Sequence, residues 1–264
     1  MGHAFAANER SYEAPRRPVM AVCADGWDPL YVDDALERGL MSRLADALSN
    51  GGTYVIGRAQ VPTFTNPNNV AIVTGVSAAH NGVAGNHYRD QSGQEVQVTD
   101  PSFLRAHTIH AAAHAAGVPA LCVTAKDKLR RLLADGGVPS FSAECAHEQA
   151  LPDGTPLVDV IGDPNPGIYD WKLSPYAIDL AIAIAQRLGS LLVYVSLTDF
   201  VQHSAAPGEA CPTRSTARPI GRSAARSMPD SPSDLPPITG CEPRRPPTEP
   251  PTCVSSTTRS PPPA

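Results

Sequence analysis

An α/β fold, with a mostly parallel sheet and helices on both faces, is predicted by three features of the sequence. Short apolar runs that read as strands alternate with stretches of helical spacing. The runs are rich in Val, Leu and Ala along their whole length, as strands covered on both faces are. Several of them end at a charged residue, where a strand would reach the sheet rim that binds ligands in such folds.

Pro18-Val-Met-Ala-Val-Cys23 is the first such run, and the turn Ala24-Asp-Gly-Trp-Asp28 leaves Asp25 at its end. Leu36, Leu40, Leu44 and Leu48 predict one helix over 33–48, started by Asp33 or Asp34 and stopped by Gly51-Gly52. Thr53-Tyr-Val-Ile56 reads as the next strand, followed by a turn into a short helix over 67–74 that Gly75 closes. A further helix is expected over 102–116, after Asp100-Pro101 and up to Gly117. Pro119–Thr124 is a strand leading through Ala125-Lys-Asp-Lys128 into a helix that carries Leu129, Leu132 and Leu133. Ser174-Pro175 is an N-cap with Pro at the first helical position, and Arg187 and Gly189 mark that helix's end. Leu191–Leu197 is the expected central strand, ending at Thr198-Asp199.

The 264-residue chain carries a formal charge of −5, which gives no reason to expect nucleic acid as a partner. No apolar run is long enough to span a bilayer, and the charged N-terminus has no secretory character, so a cytoplasmic protein is expected. Six cysteines without CxxC spacing argue for reduced thiols, buried ones at Cys23 and Cys122. The composition breaks near residue 210. Residues 211–264 hold 14 of the 28 prolines and no Phe, Trp, Tyr or Lys, too little apolar surface to offset chain entropy. The expected organisation is an ordered domain over 1–210 and a disordered Pro/Arg/Ser-rich tail over 211–264.

Four groups carry candidate chemistry. In Asp199-Phe-Val-Gln-His203, a carboxylate and an imidazole one helical turn apart can share a zinc ion; equally, Asp199 can be a cap and His203 a surface residue. Asp25 is placed as a metal ligand or as a turn former. Thr65 opens a helix whose free N–H groups and dipole favour an anion, where a metal-held alkoxide attacks phosphorus; an ordinary N-cap threonine is the other reading. Lys126 and Lys128, two of only three lysines, either bind an anionic substrate or are simply solvated. His107, His110 and His114 lack the Glu of a zinc-binding helix and are assigned to a polar helix face.

Taken together, Val22-Cys-Ala-Asp-Gly26, Pro62-Thr-Phe-Thr-Asn-Pro-Asn-Asn69, His80–Tyr88, Thr124-Ala-Lys-Asp-Lys-Leu129, Tyr169-Asp-Trp-Lys-Leu173 and Leu197-Thr-Asp-Phe-Val-Gln-His203 resemble phosphonoacetate hydrolase, of the alkaline phosphatase superfamily. The resemblance spans roughly residues 9–210. It implies an alkaline-phosphatase-like fold and hydrolysis of the carbon–phosphorus bond of phosphonoacetate, a small-molecule phosphonate, at a site of two Zn2+ ions. Asp25 and Thr65 would contribute to one zinc, with Thr65 the nucleophile, and Asp199 and His203 to the other. Asn86 would hydrogen-bond a phosphoryl oxygen, Lys126 and Lys128 would hold the substrate carboxylate, and His203 would also border the substrate.

The resemblance stops after residue 210, whereas family members continue for about as long again and supply an adjacent Asp-His pair and a distant His as further zinc ligands. His203 is the last histidine of this chain. A truncated fold is therefore expected, with a frameshift near codon 210 as the source of the tail, weak zinc binding, impaired activity, and exposed sheet edges that favour aggregation. Alternative functions are a nucleotide pyrophosphatase or phosphodiesterase of the same superfamily, and a non-catalytic remnant whose Pro243-Arg-Arg-Pro-Pro247 engages a polyproline-binding partner.

Overall fold

The computed structural model describes residues 4–203 and 206, so the expected boundary at 210 and the expected disordered tail lie outside the described residues. The chain opens with a hairpin, β1 (Ala4–Ala7) against β2 (Arg10–Glu13), and enters the main sheet at β3 (Val19–Cys23). Helices α1 (Pro29–Glu37) and α2 (Ser42–Ser49) lead to a long irregular stretch, then α3 (Thr65–Thr74) and the single turn α4 (Ala78–Asn81). A small hairpin, β4 (His87–Arg89) with β5 (Glu95–Gln97), precedes α5 (Ile109–Ala115). The remaining elements are β6 (Ala120–Thr124), α6 (Asp127–Leu133), β7 (Ser140–Ser142), α7 (Leu157–Ile161), α8 (Leu173–Leu188) and β8 (Leu192–Ser196).

The main sheet is parallel throughout, in the order β3-β8-β6-β7. Alternation along the two inner strands divides the core. Leu121, Val123, Val193 and Val195 face α8, where Leu173, Ala177, Leu180, Ala181 and Ile184 are fully buried. Cys122 and Tyr194 face the other way, onto Val70 and Val73 of α3 and Leu129, Leu132 and Leu133 of α6. Period-two side chains from β6 and β8 thus meet helices on both faces, as the apolar runs predict.

Several local expectations give way to the structure. The single helix over 33–48 is two helices, because Gly39 takes φ +67° just past the Arg38 cap and the chain turns there. Its start is Asp28, whose carboxylate accepts from Leu30 N at 3.0 Å ahead of Pro29, rather than Asp33 or Asp34. Helix 102–116 shrinks to α5, preceded by a 3₁₀ turn at Pro101–Phe103; Thr108, which accepts from Ala111 N, is the true cap. Ser174 lies inside α8, and its hydroxyl accepts from Thr198 N at 3.2 Å instead of capping. His110 is not on a polar face: it is buried, stacked on Tyr194 at 6.4 Å, with Nε2 3.3 Å from the Leu133 carbonyl, and burial lowers its pKa.

Thr53–Ile56 forms no strand. An extended segment becomes a strand only when a neighbour completes its ladder, and none of the described residues pairs with it. Val55 and Ile56 are 75% and 70% exposed. Edge strand β3 is bare in the same way, with Val19 and Val22 exposed although they sit in a strand. Exposed apolar surface on this side is the expected liability of a sheet edge.

Urea unfolding should separate the two surfaces. Leu180→Ala is expected to cost about 2–5 kcal/mol, whereas Val55→Lys combined with Ile56→Lys should change stability by less than about 0.5 kcal/mol per site while reducing self-association in light scattering.

Candidate active site

Parallel register fixes where the chemistry collects. Cys23 is paired with Ser196, Ser196 with Thr124, and Thr124 with Ser142, so these strands end in one row. Asp25 follows Cys23 by two residues, Lys126 follows Thr124 by two, and Asp199 follows Ser196 by three. All three side chains therefore emerge at the same rim.

Glycine lets them approach. Gly26 has φ +75°, and a Cβ there would lie 3.1 Å from Gln202 Cβ and 3.2 Å from Asp199 Cβ. Only a residue without a side chain allows the Asp25 turn to rest on the 199–202 turn. With the Gln202 amide turned so that both ends are satisfied, Trp27 Nε1 donates to its oxygen at 2.6 Å and its nitrogen donates to the Asp199 carbonyl at 3.2 Å.

Thr65 comes from the opposite side, as the first residue of α3 behind the extended Phe64 cap. Its hydroxyl donates to Asp25 Oδ2 at 2.9 Å. The asparagines of Thr65-Asn-Pro-Asn-Asn69 each fasten this end: Asn66 Nδ2 donates to Val98 O at 2.8 Å, Asn68 Nδ2 to Phe64 O at 3.0 Å, and Asn69 Nδ2 to Thr65 O at 3.0 Å. Asn86 Oδ1 accepts from Asn66 N at 2.9 Å, which leaves the NH2 group as the donor end of the amide. The helix end is thus less open to an anion than expected. Asn86 takes the Asn66 N–H, Pro67 has none, and Asn68 N bonds the Phe64 carbonyl at 3.3 Å.

Asp199 is held on both oxygens, by Lys126 Nζ at 2.6 Å on Oδ1 and by His203 Nε2 at 3.0 Å on Oδ2. His203 N also donates to the Asp199 carbonyl at 3.1 Å, so a turn, not a regular helix, places them together. The pKa values of the two carboxylates are shifted in opposite directions. Burial raises the pKa of Asp25, with the nearby Asp199 adding to the rise against the Thr65 hydrogen bond and Lys126. Burial opposes ionisation of Asp199 as well, but the Lys126 hydrogen bond and charge outweigh it and hold that carboxyl below its ordinary value.

Asp25, Thr65, Lys126, Asp199 and His203 are brought together, and Asn86 reaches the N-terminus of α3. Lys128 is not drawn in: it is exposed on the first turn of α6 and has no ion-pair partner among the described residues. One supporting residue was not legible. Tyr194 Oη, inside β8, donates to Asn69 Oδ1 at 2.7 Å and so ties the central strand to the helix that carries Thr65. Its only signal was a phenol in the run Leu-Leu-Val-Tyr-Val, where a buried hydroxyl needs a partner.

The donor chemistry suits divalent zinc, since carboxylate, hydroxyl and imidazole are all zinc ligands. Asp25 with Thr65, and Asp199 with His203, give two donors each. Among the described residues no group of three or more His, Cys, Asp or Glu side chains is gathered.

The family model for type I phosphodiesterases and nucleotide pyrophosphatases matches residues 19–216. The chain belongs to this family. Its structure is also similar to two solved structures of phosphonoacetate hydrolase from Sinorhizobium meliloti 1021. For the complex with phosphonoformate, identity is 36% and the TM-score 0.74, over 79% of this chain and 52% of that one. For the complex with phosphonoacetate, identity is 35% at the same TM-score of 0.74 and the same coverage of 79% and 52%. The chain thus spans about half the length of those proteins, and over that span it has the alkaline-phosphatase-like α/β fold expected from the sequence.

Two substitutions test the site's internal forces in the absence of divalent cations. A carboxyl whose folded pKa is raised stabilises the fold below its unfolded pKa and loses that contribution as pH rises through the folded value. Asp25→Asn should therefore melt above the wild type at pH 7, and the gap should close toward pH 4. Tyr194→Phe, which strands the Asn69 oxygen, should cost about 1–3 kcal/mol in urea titrations.

Proposed function

We propose that this family member's site hydrolyses the carbon–phosphorus bond of phosphonoacetate, giving acetate and phosphate, with Thr65 as nucleophile and two zinc ions as cofactors. The observation that carries this reading is the hydrogen bond from Thr65 Oγ1 to Asp25 Oδ2, opposite the Lys126–Asp199–His203 cluster at one sheet rim. Similarity to the S. meliloti enzyme, solved with phosphonoacetate bound, supports the choice of substrate.

Asp25 and Thr65 would hold one zinc, and Asp199 and His203 the other. Bound there, zinc supplies positive charge to the phosphonyl oxygens and lowers the pKa of the nucleophilic hydroxyl. Thr65 is already aimed: its proton points along the hydrogen bond to Asp25, which leaves a lone pair for phosphorus. In-line attack forms the Oγ1–P bond as the C–P bond breaks, and the hydroxyl proton passes to Asp25 Oδ2. The bonding pair remains on the methylene carbon, which takes a proton from solvent to become acetate. Water then hydrolyses the phosphothreonine and releases phosphate. The NH2 group of Asn86 donates to a phosphonyl oxygen, and Lys126 provides positive charge for the substrate carboxylate. Lys128, exposed on the first turn of α6, serves as a second and weaker anchor.

A second reading, hydrolysis of a phosphodiester or pyrophosphate, is favoured by the family model. It uses Thr65 and Asp25 in the same way but gives Lys126 no carboxylate to hold.

With two donors to each zinc, turnover of the 264-residue chain should be slow and should require zinc in excess. Assayed so, the full chain is expected to release acetate and phosphate in equal amounts from phosphonoacetate. Thr65→Ala should reduce this at least about 100-fold and Thr65→Ser should retain part of it. Hydrolysis of an aryl phosphodiester without any acetate release would instead establish the second reading.

A further inference from the structure

The ammonium of Lys126 has no place in a finished metal site where it now lies. Its Nζ is 2.6 Å from Asp199 Oδ1, and the pair is largely shielded from solvent, with side chains 29% and 17% exposed. The other Asp199 oxygen is held by His203 Nε2 at 3.0 Å. Each oxygen of this carboxylate therefore already accepts one hydrogen bond and keeps a second lone pair. A protonated amine donates hydrogen bonds and cannot act as a ligand, and a dication on the same carboxylate would repel it.

His203 differs, because its imidazole is itself a ligand and can stay with Asp199 around a shared ion. Lys126 must leave. It can do so cheaply: its backbone is the extended cap at the end of β6, with φ −100° and ψ 130°, and the side chain swings without moving the strand. Arg130 and Arg131 cannot take its place, since both pair with Asp127.

We propose that Lys126 competes with the metal for Asp199, and that its displacement is what frees the ammonium for an anionic substrate group. The inference rests on the zinc reading above and adds an order to it. Metal enters first, the Lys126–Asp199 pair opens, and only then is a cation available to a carboxylate. By linkage, a carboxylate ligand that captures the released ammonium also tightens the metal.

The test is a zinc titration of the full-length chain against a chromophoric chelator, with folding of each variant checked by circular dichroism. Lys126→Met should bind zinc roughly ten- to a hundredfold more tightly than the wild type. Lys126→Arg, which keeps a cation at the position, should stay near the wild type. Lys172→Met, with the same loss of charge elsewhere, should also stay near it. Equal or weaker zinc affinity in a folded Lys126→Met would overturn the competition while leaving the zinc reading standing. Zinc affinity that is absent in every variant, or unchanged by Asp199→Asn, would overturn the zinc reading and the competition with it.

Discussion

Two carboxylates that stand side by side at a desolvated rim must share positive charge, and this requirement organises the site. Asp25 and Asp199 arrive there because β3 and β8 are parallel neighbours in register, and because Gly26 lets one turn lie on the other. Each raises the cost of ionising the other, since like charges in a partly buried setting repel. Burial raises both pKa values, but at Asp199 the Lys126 hydrogen bond and charge outweigh it and lower the pKa, whereas Asp25, which accepts from the Thr65 hydroxyl and the Gly26 backbone N–H, stays raised. Positive charge at this rim comes from Lys126, which is paired with Asp199.

Support for that rim is concentrated in a few polar links through an otherwise apolar core. Tyr194 reaches from β8 to Asn69, Asn69 to the Thr65 carbonyl, and Asn66 to Val98, the residue after β5. A nucleophile at a helix N-terminus is only as well placed as the backbone beneath it. The asparagine-rich segment does this with side-chain amides, which also accounts for an end less open to anions than a bare helix terminus would be.

What the sequence made legible was set by local physics. Uninterrupted apolar runs marked β3, β6 and β8, and the charged residue after each marked the rim, so Asp25, Lys126 and Asp199 were correctly placed together. Glycine stops at Gly75 and Gly189 were read correctly because a left-handed residue ends a helix wherever it occurs. Errors arose where tertiary partners decide. Leu36 to Leu48 keeps helical spacing across Gly39, yet the chain turns there. Thr53–Ile56 has strand composition but no neighbour to pair with. His110 looked polar and is buried because Tyr194 and the Leu133 carbonyl receive it. Lys126 and Lys128 were indistinguishable as residues; only the start of α6 shows that one lies at the rim while the other is exposed.

The chain spans 52% of the matched S. meliloti protein, and among the described residues no three His, Cys, Asp or Glu side chains are gathered. The most direct test of the central claim is the anomalous scattering of zinc in crystals of the full-length chain. The account predicts peaks at the rim, on Asp25 and Thr65 and on Asp199 and His203, with Lys126 turned away from Asp199. Zinc found only elsewhere on the surface, with the Lys126–Asp199 bond intact, would contradict it.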